Sequence, residues 1–410
     1  MYSLMDFEVD KIRQDFPLLY QKVHGHPIVY FDNGATTQKP RQVIDTVRRY
    51  YEEENASIHR GVHFLSERST ETYEKARETV RKYINAASTN EVIFTSGTTG
   101  SINALAFSFG EKHLVPGTEV IISEMEHHSN IVPWQMVCER KGAKLKVVPF
   151  NEKGELVMAE FKKLLSDKTR IVAITHISNS LGTINPVREI IRLAHKHDIP
   201  VLVDGAQAIP HESIDVQDLD ADFYAFSGHK VYGPNGIGVL YGKEKLLYDL
   251  PPYQGGGDMV DCVSFEKTTY NQLPFKFEAG TMNYIGAAGL AAALDYIEGI
   301  GLERIREYEI YLLEYATMKL MTVPGLEIYG NAAKKISILS FLMDGIHPYD
   351  AGMVLDKLGI AVRTGTHCTQ PVMDHFKITG TLRASLAFYN TTGEIDRLHA
   401  GLHRVREMFG

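Results

Sequence analysis

The chain has 410 residues, 44% of them hydrophobic and 23% charged, which is the composition of a folded protein with room for more than one domain. Its formal net charge is −8 and no long basic run occurs, so nucleic-acid binding has no compositional support. No apolar stretch approaches the ~20 residues of a membrane span. The opening residues, Met1-Tyr2-Ser3-Leu4-Met5-Asp6, lack the layout of a secretory signal, and a cytoplasmic location is expected.

Residues 6–16 place Val9, Ile12 and Phe16 at helical spacing before Pro17 stops the pattern. Apolar, β-branched runs then predict strands over 91–95, 120–123, 145–149, 171–175, 201–204, 223–227 and 237–241. Helical patterns lie between several of them, for example over 187–197. Such alternation predicts a mostly parallel sheet covered by helices. The Gly255-Gly256-Gly257 tract reads as a flexible loop or hinge. Beyond Gly286 the character changes. Helices over 287–298 and 302–319, strands over 336–341, 360–363 and 382–387, and helices from Pro348 and Glu394 predict a smaller α+β unit. The expected division is an N-terminal segment over 1–20 packed on the small unit, a large α/β domain over 21–290, and a small domain over 291–410.

Two strand candidates end in reactive side chains. One runs Val201-Leu202-Val203 into Asp204, and the other runs Phe223-Tyr224-Ala225-Phe226 into Ser227-Gly228-His229-Lys230. Parallel α/β sheets gather their chemistry in the crevice outside the carboxyl ends of the strands. A lysine and a carboxylate delivered there suit pyridoxal phosphate, which needs an amine for covalent attachment and an acid to hold the proton on its ring nitrogen. Taken singly, each is more often a solvated loop lysine or a helix cap.

Thr95-Ser96-Gly97-Thr98-Thr99-Gly100-Ser101 stands between a strand and a helical run and offers amides and hydroxyls to a phosphate, or else caps the helix. It matches neither nucleotide-binding glycine motif. In Glu126-His127-His128-Ser129-Asn130 the adjacent histidines do not converge as metal ligands at i, i+4 would. His127 can instead stack on a pyridine ring and exchange protons with a substrate. Gln207 can donate to the ring's phenolic oxygen, and Ser227 and His229 can add phosphate donors.

Along its whole length the chain resembles the fold-type I, class V pyridoxal phosphate enzymes, and among them the Suf-type cysteine desulfurases. The likeness rests on Asp32-Asn33-Gly34-Ala35-Thr36-Thr37, Arg60-Gly61-Val62-His63, Ser96-Gly97-Thr98-Thr99, Glu126 to Trp134, Asp204-Gly205-Ala206-Gln207, Ser227-Gly228-His229-Lys230, Phe277-Glu278-Ala279-Gly280-Thr281 and Arg363-Thr364-Gly365-Thr366-His367-Cys368. The resemblance implies Lys230 as the attachment lysine, Asp204 as the ring-nitrogen partner and His127 as the stacking ring. It implies Thr98, Thr99, Ser227 and His229 around the phosphate and Gln207 at the phenolic oxygen. Arg383 is implied as the clamp for the substrate carboxylate, with Asn179 and the Ala35 backbone. Thr281 is implied to reach the phosphate of the second subunit of a homodimer.

Cys368 is implied as the nucleophile that takes sulfur from L-cysteine as a persulfide and leaves L-alanine, with the sulfur passing to iron–sulfur cluster assembly. A thiol near its ordinary pKa is only a few per cent ionised at neutral pH. Arg363 and His367 lie close in sequence, and a cation there raises that fraction. Cys138, in an apolar stretch, reads as a core residue, while Asp258 and Asp261 oppose thiolate formation at Cys262. No Cys-x-x-Cys pair occurs, which argues against a disulfide framework or a structural zinc. The chain departs from the commonest family pattern at Thr366, where a second His is frequent, and at Thr369, where Ala is usual. Tyr349, where relatives with a zinc-bearing acceptor carry His, leans the reading toward a SufE-like sulfur acceptor. Rival readings are a selenocysteine lyase, which acts on L-selenocysteine, an aminotransferase-like enzyme, and a catalytically silent assembly scaffold.

Overall fold

The computed structural model describes residues 7–409, so the start of the first predicted helix lies outside the described residues. The seven strands expected in the first half form one sheet in the spatial order Val92–Thr95, Gly238–Gly242, Phe223–Ser227, Val201–Asp204, Thr169–Thr175, Glu119–Ser123 and Lys144–Val148. Six run parallel, and Gly238–Gly242 is reversed against both neighbours. Every residue of Val201–Asp204 and Phe223–Ser227 is buried. Helices cover both faces of such a sheet, so its central strands read as continuous apolar runs. Lys144–Val148 lies at the edge and is largely exposed or half-buried instead, with Lys144 and Lys146 to discourage a further strand.

The C-terminal unit is a four-stranded antiparallel sheet, ordered Leu326–Tyr329, Ile338–Met343, Thr381–Ser385 and Arg363–Gly365. The single strand expected over 360–363 is divided. Ile360–Ala361 pairs in parallel with Val29–Tyr30, while Arg363–Gly365 joins the small sheet. Asp32 bridges to Ser385, and Arg13 donates to Glu394, so contacts between the early chain and this unit continue through Asp32. The predicted helices over 287–298 and 302–319 extend to Tyr284–Ile300 and Leu302–Leu320. Past Gly255-Gly256-Gly257 the chain forms an exposed hairpin of Val260–Val263 and Thr268–Tyr270, absent from the sequence reading because its side chains face water. Among the described residues no single helix is long and apolar enough to cross a membrane.

Helix Phe64–Tyr83 has no apolar stripe legible in sequence, because its buried residues include Ser66, Ser69 and Arg77. The Arg77 guanidinium is fully buried and donates to both Glu278 oxygens at 2.7 and 2.9 Å. Tyr73 and the Phe94 amide donate to the same carboxylate, each at 2.8 Å. With every carboxylate lone pair engaged, this buried pair ties the segment leading to Thr281 to the first strand of the large sheet.

Candidate active site

Five strand ends of the large sheet open onto one cavity of about 190 Å³, closed on the far side by Arg363, His367 and Arg383 of the small unit. Lys230 follows strand Phe223–Ser227 by one tight turn, Gly228–Lys230. Thr36, Thr37 and Lys39 all donate to the carbonyl of His229 and hold that turn. Desolvation brings the Lys230 amine down to about 8, against the attraction of Asp204 and with the help of Arg383 and Arg363. Asp204 ends its own strand, buried, with its carboxyl raised by that burial and countered by the Ala206 amide at 3.0 Å and by Lys230. Gly205 must be glycine, because a Cβ there would stand 1.9 Å from the Tyr224 ring.

The phosphate-type end is built on the N-terminus of helix Thr98–His113, which starts four residues earlier than its apolar run. Gly97 caps it at φ +142°, a conformation that L side chains rarely adopt. The Ser227 hydroxyl accepts from the Thr98 amide at 2.8 Å and pairs with the Thr98 hydroxyl at 2.7 Å. Thr99 pairs with Ser129 at 2.7 Å. These hydroxyls rotate freely enough to turn toward an anion, and the first-turn amides and helix dipole favour one. A phosphorylated pyridine thus meets hydroxyl donors at one end, an acid at its ring nitrogen and an amine beside it.

His127 lines the cavity with its Nδ1 accepting from the Ser129 amide at 3.0 Å, which leaves the ring proton on Nε2. Burial, then Lys230 and other cations, push its pKa down to about 3, so the ring is neutral at physiological pH. His229 is lowered to about 4 by burial and Lys230. Beneath His127 stands Glu126, a residue passed over in the sequence. Its carboxylate accepts from Ser123, from Asn130 at 2.7 Å and from the Thr175 amide at 2.9 Å, joining two strand ends to the His127 turn. Burial raises that carboxyl to about 8. Gln207 lines the cavity, and its Nε2, which carries two hydrogens, donates to the Gly34 carbonyl at 2.7 Å.

At the opposite end lies Arg383, which strand position alone would put on the surface; it is 1% exposed. Nη1 donates to the Asn179 carbonyl at 2.8 Å and Nη2 to Asp32 at 3.0 Å, while Nε has no partner among the described residues. Asp32 was invisible as a partner, since it is 351 residues away in sequence. Ala35 and Asn179 line the same cavity. The Asn179 amide donates to the His367 carbonyl at 2.8 Å.

Cys368 sits on the rim loop next to His367 and is partly exposed. His367 is not the cation expected beside it. Burial first, then Arg383 and Arg363, lower its pKa to about 2, leaving Arg363 and Arg383 as the local positive charges. Thr369 is buried, and its hydroxyl closes the loop by donating to the Thr366 carbonyl at 2.9 Å. Cys138 is buried with its thiol raised to about 11, and Cys262 is exposed on the hairpin. Thr281 is exposed and lies outside this cavity.

The aminotransferase class-V family model matches residues 29–398. A cysteine desulfurase of Synechococcus elongatus is 51% identical over 98% of this chain, which spans 64% of that protein's length. One of Salmonella agona is 49% identical over 99% of this chain and 100% of its own. Among solved structures, the cysteine desulfurase CsdA of Escherichia coli in its S-sulfonic acid form superposes with a TM-score of 0.91 at 38% identity, covering 98% of this chain and 100% of that one. The apo cysteine desulfurase of Thermococcus onnurineus NA1 gives 0.92 at 36% identity, covering 100% and 99%. With the fold, the strand-end lysine and acid, and these relatives in agreement, the chain belongs to the aminotransferase class-V family, among its cysteine desulfurases.

Proposed function

We propose that this chain converts L-cysteine to L-alanine and takes up the sulfur as a persulfide on Cys368. The observation that carries the reading is the meeting of Lys230, Asp204 and Arg383 in one cavity with the Cys368 loop on its rim. Pyridoxal phosphate would be held by Thr98, Thr99, Ser227 and His229 at the phosphate, Gln207 at the phenolic oxygen, His127 over the ring and Asp204 at the ring nitrogen. Bound there, it supplies an electron sink for the substrate's α-carbon.

Arg383 then holds the substrate carboxylate, with Asn179 and the Ala35 backbone beside it, through a guanidinium whose Nε is still free to donate. The Lys230 amine, brought near neutral pH by desolvation, is suited to take and return the α-proton at Nζ. Neutral His127 can pass the substrate thiol's proton through Nε2. Cys368 Sγ bonds to the substrate sulfur as its carbon–sulfur bond breaks, and the bonding pair stays with the carbon fragment, which gains protons to become alanine.

The same reading has Thr281 serving a neighbouring subunit. Its exposure supports this, as do the exposed Tyr51, Val62, Phe64 and Phe265, which suit a homodimer interface. Exposed Tyr349 and the short Cys368 tether favour an acceptor of the SufE-like kind that comes to the thiol, in service of iron–sulfur assembly in the cytoplasm. The deciding experiment incubates purified protein with L-cysteine and a reductant and measures alanine and sulfide. Without an acceptor, one sulfur atom should accumulate on the Cys368 peptide by mass spectrometry. Sulfide at the wild-type rate from Cys368→Ala would overturn the persulfide route.

A further inference from the structure

The Cys368 loop and the helix that follows it are fastened to the large domain by five contacts. His367 and Cys368 both occupy the left-handed region, at φ 53° and 59°, where residues other than glycine are strained. Such a conformation persists only where its surroundings hold it. The Asn179 amide holds the His367 carbonyl at 2.8 Å. The His128 backbone amide donates to the Cys368 carbonyl at 2.8 Å, and His128 Nε2 accepts from the Gln370 amide at 3.1 Å. Farther along, the His375 ring stacks on Phe150 and meets Glu124 at 3.2 Å.

His128 grips the chain at two points, the Cys368 carbonyl and the Gln370 amide just past it, while Asn179 holds the residue before the nucleophile. Accepting through Nε2 requires the neutral ring with its proton on Nδ1, which differs from the Nε2-protonated ring next to it at His127. The two adjacent histidines therefore divide the work by direction, one ring facing the cavity and the other facing the loop. We infer that His128 is a positioning residue that clamps the Cys368 loop and sets where the thiol stands. Its contribution falls on sulfur transfer to Cys368, not on cofactor or carboxylate binding. The inference rests on Cys368 being the nucleophile.

The test compares holoenzyme carrying His128→Ala with His128→Gln, whose side-chain oxygen can reach the place of Nε2 and accept from Gln370. The alanine variant keeps the backbone amide and should keep the cofactor absorbance and the KM for L-cysteine. Its single-turnover rate of persulfide formation should fall on the order of ten- to a hundredfold, the scale expected when a reacting group loses its placement. Alkylation of Cys368 by iodoacetamide, read by peptide mass, should accelerate as the loop is released. The glutamine variant should recover most of both. Wild-type persulfide and alkylation rates in His128→Ala would overturn the clamp, as would equal damage in both variants. If wild type itself gains no sulfur on Cys368, the functional reading fails, while the alkylation rates still decide whether the clamp exists.

Discussion

The two ends of the cavity are built on different principles. The cofactor end stands on the carboxyl ends of strands whose residues are wholly buried and whose backbone groups are paired across the sheet. Asp204, Glu126 and Ser227 hold fixed positions there, each with hydrogen-bond partners. The sulfur end hangs between two sheets. Arg383 comes from the small sheet, Asp32 from the early chain, and Cys368 from a loop with two strained residues. Groups that must hold a charge in place benefit from a rigid, dry frame. A thiol that must meet the substrate and then a second protein benefits from a short loop pinned at a few points rather than built into a sheet. The difference shows how one small cavity separates electrostatic work from sulfur hand-over.

That contrast can be broken first at Lys230. Lys230→Ala should reduce turnover below detection, and borohydride should fix the cofactor to Lys230 in the wild type; attachment to another lysine would remove the rigid end's role. Cys368→Ala should bind cofactor and L-cysteine normally yet release no sulfur, with selenocysteine turnover as the control, because selenium leaves without a protein nucleophile more readily. Full loss of L-cysteine binding in that variant would mean the two ends are not separable.

Smaller effects sharpen the contrast. Arg77→Ala leaves the Glu278 carboxylate buried and unpaired, and should cost about 3–5 kcal/mol of stability by denaturant unfolding. Arg383→Lys cannot reproduce a guanidinium fork, so the activation free energy read from kcat/KM for L-cysteine should rise by roughly 1.5–3 kcal/mol, the worth of a charge-assisted hydrogen bond. An unchanged KM would argue that another group binds the carboxylate.

The smallest effect concerns pH. His176 and His367 are buried, with folded pKa values lowered to about 4 and about 2. The unfolded chain therefore binds protons that the native state does not as pH falls below ~6.5. The stability they contribute is present above that value and is lost as pH falls through it, at up to about 2 kcal/mol each by pH 5. Thermal melts from pH 7 to 5 should show the loss, and replacing His176 by a neutral residue should remove its share.

Much of this molecule was legible in its sequence. The strands of the large sheet announce themselves in sequence, the central ones most plainly, since a strand buried on both faces has no polar side to show. Lys230, Asp204 and the Thr98–Thr99 turn stand at strand ends, where chemistry collects. Three things required the folded chain. The reversal of Gly238–Gly242 depends on which neighbour it pairs with, and apolar runs read the same in either direction. The division of 360–363 depends on Val29–Tyr30 arriving from more than three hundred residues away. The charge states at the sulfur end also depend on arrivals from afar: Asp32 meets Arg383, and burial beside two arginines keeps His367 neutral. Local pattern records what a segment buries, whereas solvent exclusion and charge neighbours are set by where distant segments meet, and only the tertiary structure decides that.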